Sequence, residues 1–440
     1  MKRSPRAFFF LFLAACAVGI VLPPLDILEA AEEYGFDVDE FEKKNLESGG
    51  YAELKWEHSD LNQDSAFYFL NYYRSSRSTL DRYSSTLQLD GSYSRGQASL
   101  NWRAQAMARQ DDIGWYDNAD ILEAYGSVKP APPVTFDAGK RVFKWGKGYA
   151  WNPVAFIDRP KDPNNPEEAL EGFIGADFDL IRSFSGPLRT VALTGVVLPV
   201  WQGVNEDFGE QDNVNLAAKL YLLYLDTDLD LLFYTGNSRS TRYGFSFSRN
   251  LATNFEIHGE IAHVPEQKQK ILETDGAVAA RTISDTSYLL GLRYLTENDV
   301  TTIVEYYHNG DGYTEEELHR FLQTAVDGYD QYLISENDLL LQKAAGLNES
   351  GYGKPQPGRN YLYTRASIKE PFDILYFIPS LTAIINLDDN SYSLSPELLY
   401  TGITNVELRL KFFWLNGDHF SEYGEKPNRN RVEMRLRYFF

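Results

Sequence analysis

The sequence predicts an all-β fold: a transmembrane antiparallel up-and-down β-barrel of about 18 strands, with long outer loops, one containing a helix. Three observations lead there. Apolar and polar residues alternate with period two in segments of about ten residues, the length a tilted strand needs to cross a bilayer. Beyond the N-terminal stretch no apolar run approaches the roughly 18 residues a membrane-spanning helix requires; the nearest, Leu220 to Tyr234, is broken by Asp226, Asp228 and Asp230. The links between alternating segments are themselves alternately tight and long, as in a wall with turns on one side and loops on the other.

Composition agrees. A chain of 440 residues could hold two soluble domains, one large α/β enzyme or a single barrel. Aromatic residues reach 14% while charged residues make up 24%, which suits a wall greasy on one face and wet on the other. The net charge of −21 speaks against nucleic acid as a partner, and fits acidic loops among lipopolysaccharide phosphates only if divalent cations bridge them.

The chain starts with Lys2, Arg3 and Arg6 ahead of an apolar run from Ala7 to Leu22 and then Pro23-Pro24, the pattern of an export signal over residues 1–30. A cut near Ala30 or Ala31 fits. Leu13-Ala14-Ala15-Cys16 also resembles a lipobox, in which Cys16 would be lipidated, although Ala17 to Leu22 stays apolar where a polar tether would begin. Cys16 is the sole cysteine, so the mature chain has no internal disulfide and no thiolate metal site. Residues 31–47 read as a short acidic lead-in and residues 48–440 as the barrel.

The strands follow in order. Tyr51 to His58 is the first, and Ala66 to Tyr73 a hairpin arm in the first outer loop. In Gln97 to Arg109, Ala98, Leu100, Trp102, Ala104, Ala106 and Ala108 share one face, and Arg103, Gln105 and Arg109 the other. From Asn405 to Leu415, Val406, Leu408, Leu410, Phe412 and Trp414 alternate with Glu407, Arg409 and Lys411; at the end, Val432, Met434, Leu436, Tyr438 and Phe440 alternate with Glu433, Arg435 and Arg437. Tyr438 and the terminal Phe440 resemble the insertion signal that barrel assembly machinery reads on outer-membrane proteins.

Tight links are expected at Ser94 to Gly96, Ser185 to Pro187, Asp226-Thr227, Arg249 to Thr253, Thr296 to Asn298, Glu370 to Phe372 and Gly402 to Thr404. Long ones are expected at Gln110 to Ala119, Lys144 to Ile174, Pro199 to Asn213, Val264 to Ser284, His308 to Asn360 and Asn416 to Asn430. Two outer links, Gly236 to Ser240 and Asp388 to Ser391, are short. Parity gives 18 strands with both termini on the turn side; if Ala66 to Tyr73 joins the wall the count changes, leaving 16 open.

Two insertions exceed the usual loop length. In residues 144–174, Trp145 to Pro153 is followed by Pro160, Pro163 and Pro166, which favour a fixed extended path. It either folds inward as a constriction, with Trp145, Lys147, Tyr149, Trp151, Asp158 and Arg159 as candidates, or caps the outside. In residues 308–360, Thr314 to Glu317 has capping-box spacing, and Leu318, Phe321, Leu322 and Ala325 follow at helical intervals. That helix would lie across the mouth, on the membrane surface or on a partner.

Inward charges are the candidates for function. Glu53, Lys55 and Glu57 should neighbour Glu433, Arg435 and Arg437, with Glu407, Arg409 and Lys411 one strand away and Arg103 and Arg109 farther round. One reading is cross-strand ion pairing. The other is a basic strip of Arg103, Arg409, Lys411, Arg435 and Arg437 facing acidic loops, a transverse field for dipolar or anionic solutes.

Catalysis finds little support, with six histidines and no Gly-x-Ser-x-Gly elbow. His258 and Glu260 share a strand face, His263 lies on the other, and they read as lumen-lining polar residues. No metal site, cofactor or c-type haem motif is expected.

The export signal, Glu40-Phe41-Glu42-Lys43-Lys44 with Gly49-Gly50-Tyr51, the Trp145-Gly146 to Pro153 stretch and the terminal Phe440 together resemble the porin-like outer-membrane barrels of Gram-negative bacteria. The resemblance implies a 16- to 18-stranded barrel, surrounded by outer-membrane lipid and lipopolysaccharide, that passes small solutes or assists a surface polysaccharide. A non-conducting barrel that binds a partner protein, or sheathes an electron-transfer complex, is the alternative. No substrate-binding residue carries over, and monomer and trimer remain equally open.

Overall fold

The computed structural model describes residues 45–440, so the export signal, Cys16 and the first part of the 31–47 lead-in lie outside the described residues. Eighteen strands form one antiparallel sheet in chain order, and β1 (Leu46–Leu61) pairs with β18 (Asn428–Phe439) to close it. Between them run β2 (Thr79–Arg95), β3 (Ala98–Asp111), β4 (Trp115–Ala131), β5 (Val134–Arg141), β6 (Phe173–Ser183), β7 (Leu188–Val200), β8 (Asn213–Tyr224) and β9 (Thr227–Thr235). There follow β10 (Arg242–Ala252), β11 (Phe255–Leu272), β12 (Val278–Leu295), β13 (Val300–His308), β14 (Asn360–Ile368), β15 (Phe377–Asn386), β16 (Tyr392–Ile403) and β17 (Val406–Asn416).

The fold is thus the closed 18-strand antiparallel barrel the alternation predicts. Closure leaves no unpaired edge; at the seam Gly50 and Phe440 exchange both backbone hydrogen bonds at 3.1 Å. Outward positions are apolar and uncovered: Leu54, Leu100, Phe136, Leu231, Leu290, Leu410 and Met434 each expose between 41% and 56%. A belt of this kind around every part of the wall is what hydrocarbon contacts. Among the described residues no helix is long and apolar enough to cross a membrane.

Several expectations are corrected. Ala66–Tyr72 is a helix, α1, not a hairpin arm, and Ser65 caps it by accepting the Tyr68 N–H at 3.2 Å. The first strand extends from Leu46 to Leu61, so it absorbs the end of the lead-in. The link drawn from Gln110 to Ala119 shrinks to three residues between β3 and β4. The long loop expected from Val264 to Ser284 is instead the extension of β11 and β12, paired as far as Leu272 and Val278. Beyond the bilayer a hairpin needs no apolar outer face, so the alternation that marks the wall fades while the pairing continues.

One cluster of buried residues lies at the mouth. α2 (Glu315–Ser335) and α3 (Leu339–Leu347) occupy the β13–β14 connection. Leu318, Phe321, Leu322 and Ala325 of α2 pack with Phe67 of α1 and with Ile271 and Leu272 of β11. The capping box forms, with Thr314 and Glu317 each accepting the other's backbone N–H. Of the three placements the sequence leaves open, α2 takes the one across the mouth, between the β11–β12 extension and the β1–β2 connection.

Candidate functional site

The chain between β5 and β6, residues 142–172, enters the barrel. Four prolines, Pro153, Pro160, Pro163 and Pro166, keep it out of helix and strand, so its backbone N–H groups need partners from elsewhere. The wall supplies carboxylates. Glu260 of β11, 3% exposed, accepts the backbone N–H groups of Lys147 and of Gly148 (2.7 Å), the more distant N–H of Val154 (3.4 Å) and the Asn152 side chain (3.1 Å). Glu305 of β13, wholly buried, accepts those of Tyr149 and Ala150, the latter at 2.8 Å. His258 backs Glu305 at 2.9 Å, and Lys147 Nζ sits 3.1 Å from Asp230 of β9. Charge-assisted bonds of this type exceed neutral ones in strength, and six of them converge on the eight residues 147–154. The turn needs glycine at Gly146, where φ is 106° and a Cβ would come within 2.8 Å of Glu260 Oε1.

Within the loop, Asp158 accepts the N–H groups of Phe143 (2.7 Å) and Trp145 (2.9 Å). Burial pushes its carboxyl above the ordinary value, opposed by those same hydrogen bonds. Apolar packing completes the anchoring. Trp145, Phe156 and Ile157 join Val196, Leu198 and Phe208 against β6 to β9, and Trp151 stacks on Tyr307 with ring centroids 5.1 Å apart.

Beyond the anchors the loop crosses the lumen. Lys411 Nζ of β17 donates to the carbonyl of Asn164 at 2.5 Å, so the chain leaves β5, is fixed to β11 and β13, and touches the far wall. Lys161 folds back onto the carbonyl of Gly148 at 2.8 Å, and burial lowers its pKa. A cavity of about 1150 Å³ remains, with Arg103, Arg409, Arg435, Arg437 and Glu407 on the wall side, and Asp158, Asp162, Glu167 and Glu168 with Lys144, Arg159 and Lys161 on the loop side; the wall is net basic and the loop slightly acidic.

Register places the inward charges on that wall. Glu53 faces Arg437, Lys55 faces Arg435 and Glu57 faces Glu433 across β1–β18; Glu407, Arg409 and Lys411 face Arg437, Arg435 and Glu433 across β17–β18. The ion pairs are extensive: Arg437–Glu53 at 2.6 Å, Arg435–Glu433 at 2.8 Å, Arg409–Glu407 at 3.2 Å, Arg103–Asp90 at 2.6 Å and Arg103–Glu123 at 3.2 Å. Glu397 of β16 lies 3.6 Å from both Arg409 and Lys411. Arg109 lies over the Tyr116 ring, with its Nε 3.9 Å from Asp111 of the same strand. Tyr438 is on the outward face of β18, and Phe440 closes the seam.

The six loop candidates divide differently. Trp145 and Trp151 are packed, Lys147 and Asp158 are anchors, and Arg159 pairs with Glu171 at 3.1 Å and with Asp207. Tyr149 donates its hydroxyl to Glu167 at 3.1 Å. Trp145, Trp151, Asp158 and Arg159 also line the cavity, beside Asp162, Glu167 and Glu168, which were not singled out; neither were Glu260 and Glu305 as anchors. Strand parity marks both glutamates as inward, but no local signal links them to a segment more than a hundred residues earlier. His258 and Glu260 do share a face, and His263 lies outside with Thr286 at 2.9 Å.

One carboxylate group could hold a cation: oxygens of Asp137, Asp177 and Asp179 lie within 4.8 Å of one another. Arg141 already bridges Asp137 and Asp177, the latter at 3.0 Å. At the mouth, the β17–β18 loop docks through Glu422, 1% exposed, which accepts from Tyr361 at 2.6 Å and Asn386 at 2.9 Å. Burial raises its pKa to about 7.

No family model matches the chain, and no curated protein matches it. Solved structures do. OccK2 (OpdF) of Pseudomonas aeruginosa, solved in complex with glucuronate, aligns at TM-score 0.51 with 11% identity over 90% of this chain and 98% of that one. OccK5 (OpdH) of the same organism aligns at 0.50 with 10% identity and the same coverage, and its OpdQ at 0.50 with 12% identity over 90% and 99%. At such identities the likeness is one of fold: this chain is built as those porin-like barrels are.

Proposed function

We propose that the chain is an outer-membrane channel for small hydrophilic solutes, narrowed by residues 142–172. The observation that carries this reading is the loop itself: a lumen crossed by a segment fixed at Glu260, Glu305 and Lys411 retains an open cavity with charged side chains in its lining rather than a packed core. The apolar outer belt supports the location. Basic wall and acidic loop give the cavity a transverse field, which sorts solutes by charge and dipole. The acid partners of the arginines stabilise the same wall, so pairing and field are two consequences of one arrangement. That a barrel of this fold, OccK2, binds glucuronate fits a cavity with guanidinium groups on one side.

Replacing Arg409 and Arg435 by Ala tests the reading in planar bilayers. The expected result is stepwise conductance with the reversal potential displaced towards cation preference; an unchanged reversal potential contradicts the field. A second reading, a non-conducting barrel that binds a surface polymer, draws on α2 across the mouth. A barrel that binds a surface polymer through the β13–β14 connection and stays silent even after removal of Tyr313 to Gly351 would favour it, whereas a pore that opens on that removal is a plugged channel.

A further inference from the structure

Most buried or half-buried cations inside the barrel have protein partners, but Arg242 does not. It is the first residue of β10, with its side chain on the inward face shared by Gly244 and Ser246. It lines the outer part of the cavity, between the inner loop and the mouth. No hydrogen bond or ion pair within 4 Å engages its guanidinium among the described residues, and its Nε is buried with no acceptor. The groups that act on it electrostatically are Tyr234, Asp311 and Asp285. Asp285 is occupied by Ser287 at 3.4 Å, and Asp311 Oδ2 by Lys354 at 2.7 Å. Asp311 Oδ1 is also buried and has no donor, and Asp311 lines the same cavity.

A planar guanidinium and a carboxylate oxygen, both unsatisfied and both at one cavity, call for a ligand that offers acceptors to the first and a donor to the second. A purely anionic solute meets Arg242 but is repelled by Asp311 and Asp285. A solute that carries a hydroxyl or ammonium beside its carboxylate meets both. We infer that Arg242 and Asp311 form a solute-binding subsite for small 2-hydroxy- or 2-amino-carboxylates on the outer side of the constriction. The inference rests on the channel reading and specifies a stop along its path.

The test uses calorimetric titration of the purified full-length barrel in detergent with glycolate, glycine and acetate, and separately bilayer conductance. Glycolate and glycine are expected to bind at least fivefold more tightly than acetate. Arg242→Gln should weaken glycolate at least tenfold, and Asp311→Asn should abolish the preference over acetate. Arg242→Lys, which keeps the charge but loses the fork, should fall between, and it serves if the Gln variant does not fold. Equal affinity for acetate and glycolate, no binding of either, or an Arg242→Lys variant that binds as the parent does would overturn the subsite. A conducting pore with flat titrations removes the subsite and leaves the channel; saturable glycolate binding in a barrel that never conducts does the reverse.

Discussion

Glu305 of β13 accepts the backbone N–H of Ala150 at 2.8 Å, fixing the inner loop to a strand that follows it by 155 residues. The same carboxylate holds His258 at 2.9 Å. A buried acid whose oxygens go to backbone donors orders the segment that owns them, because each donor would otherwise lie unpaired inside the lumen.

Removing that acceptor should therefore free the loop before it harms the barrel. Glu305→Ala leaves the Tyr149 and Ala150 N–H groups unsatisfied, at a cost of about 1–3 kcal/mol. Amide exchange over residues 146–154 is expected to accelerate about tenfold or more, while exchange in β15 to β18 stays as it was. Uniform acceleration across the wall would mean that Glu305 supports the barrel and not the loop.

Charge on the loop should oppose charge on the wall. Glu168 acts on Arg435, and Glu167 lines the same cavity, so Glu167→Gln with Glu168→Gln leaves the basic strip less balanced. The reversal potential in a salt gradient is expected to move towards anion preference, opposite in sign to the effect of losing Arg409 and Arg435. A shift in the same direction for both variants contradicts a transverse field.

The mouth should respond to pH through Glu422. Its folded pKa of about 7 lies above the ordinary 4.5, so the docked β17–β18 loop favours the protonated acid. Docking is then strongest below about pH 4.5 and weakens as pH rises through about 7, a difference of about 3 kcal/mol. Protease nicking within residues 417–427 should rise between pH 5.5 and 8, and Glu422→Gln should flatten the profile. A parent chain cut equally at both pH values would refute the assignment.

The helix across the mouth should loosen from its start. Thr314→Ala removes one half of the capping box and costs about 1 kcal/mol. Exchange at Glu315 to Leu318 is expected to rise several-fold, with α1 unaffected; no change would show that the Arg281–Glu317 contact (3.1 Å) alone holds that end.

How much of this was legible follows from the range of the forces involved. The wall was readable because lipid on one side and water on the other impose period two on each strand independently: Ala98 to Ala108 and Val406 to Trp414 declare their faces without reference to any partner. Eighteen strands followed from counting links. Where the bilayer ends the constraint ends, which is why the β11–β12 extension and the short β3–β4 turn were drawn as loops. α1 was hidden because Ala66 to Tyr72 is only seven residues long and, Asn71 apart, carries apolar or aromatic residues at every position, so that it shows neither period clearly. The inner loop announced its stiffness through proline. Its path depended on Glu260, Glu305 and Lys411, whose roles exist only once the barrel has closed.

Single-channel recording of the purified barrel, parent against Glu260→Gln with Glu305→Gln, bears most directly on the central claim that an anchored inner loop sets the pore. Stepwise conductance in the parent is expected, with steps at least twofold larger and noisier in the double variant, both proteins keeping a heat-dependent mobility shift on semi-native gels. Identical steps in two folded proteins, or none in either, would contradict it.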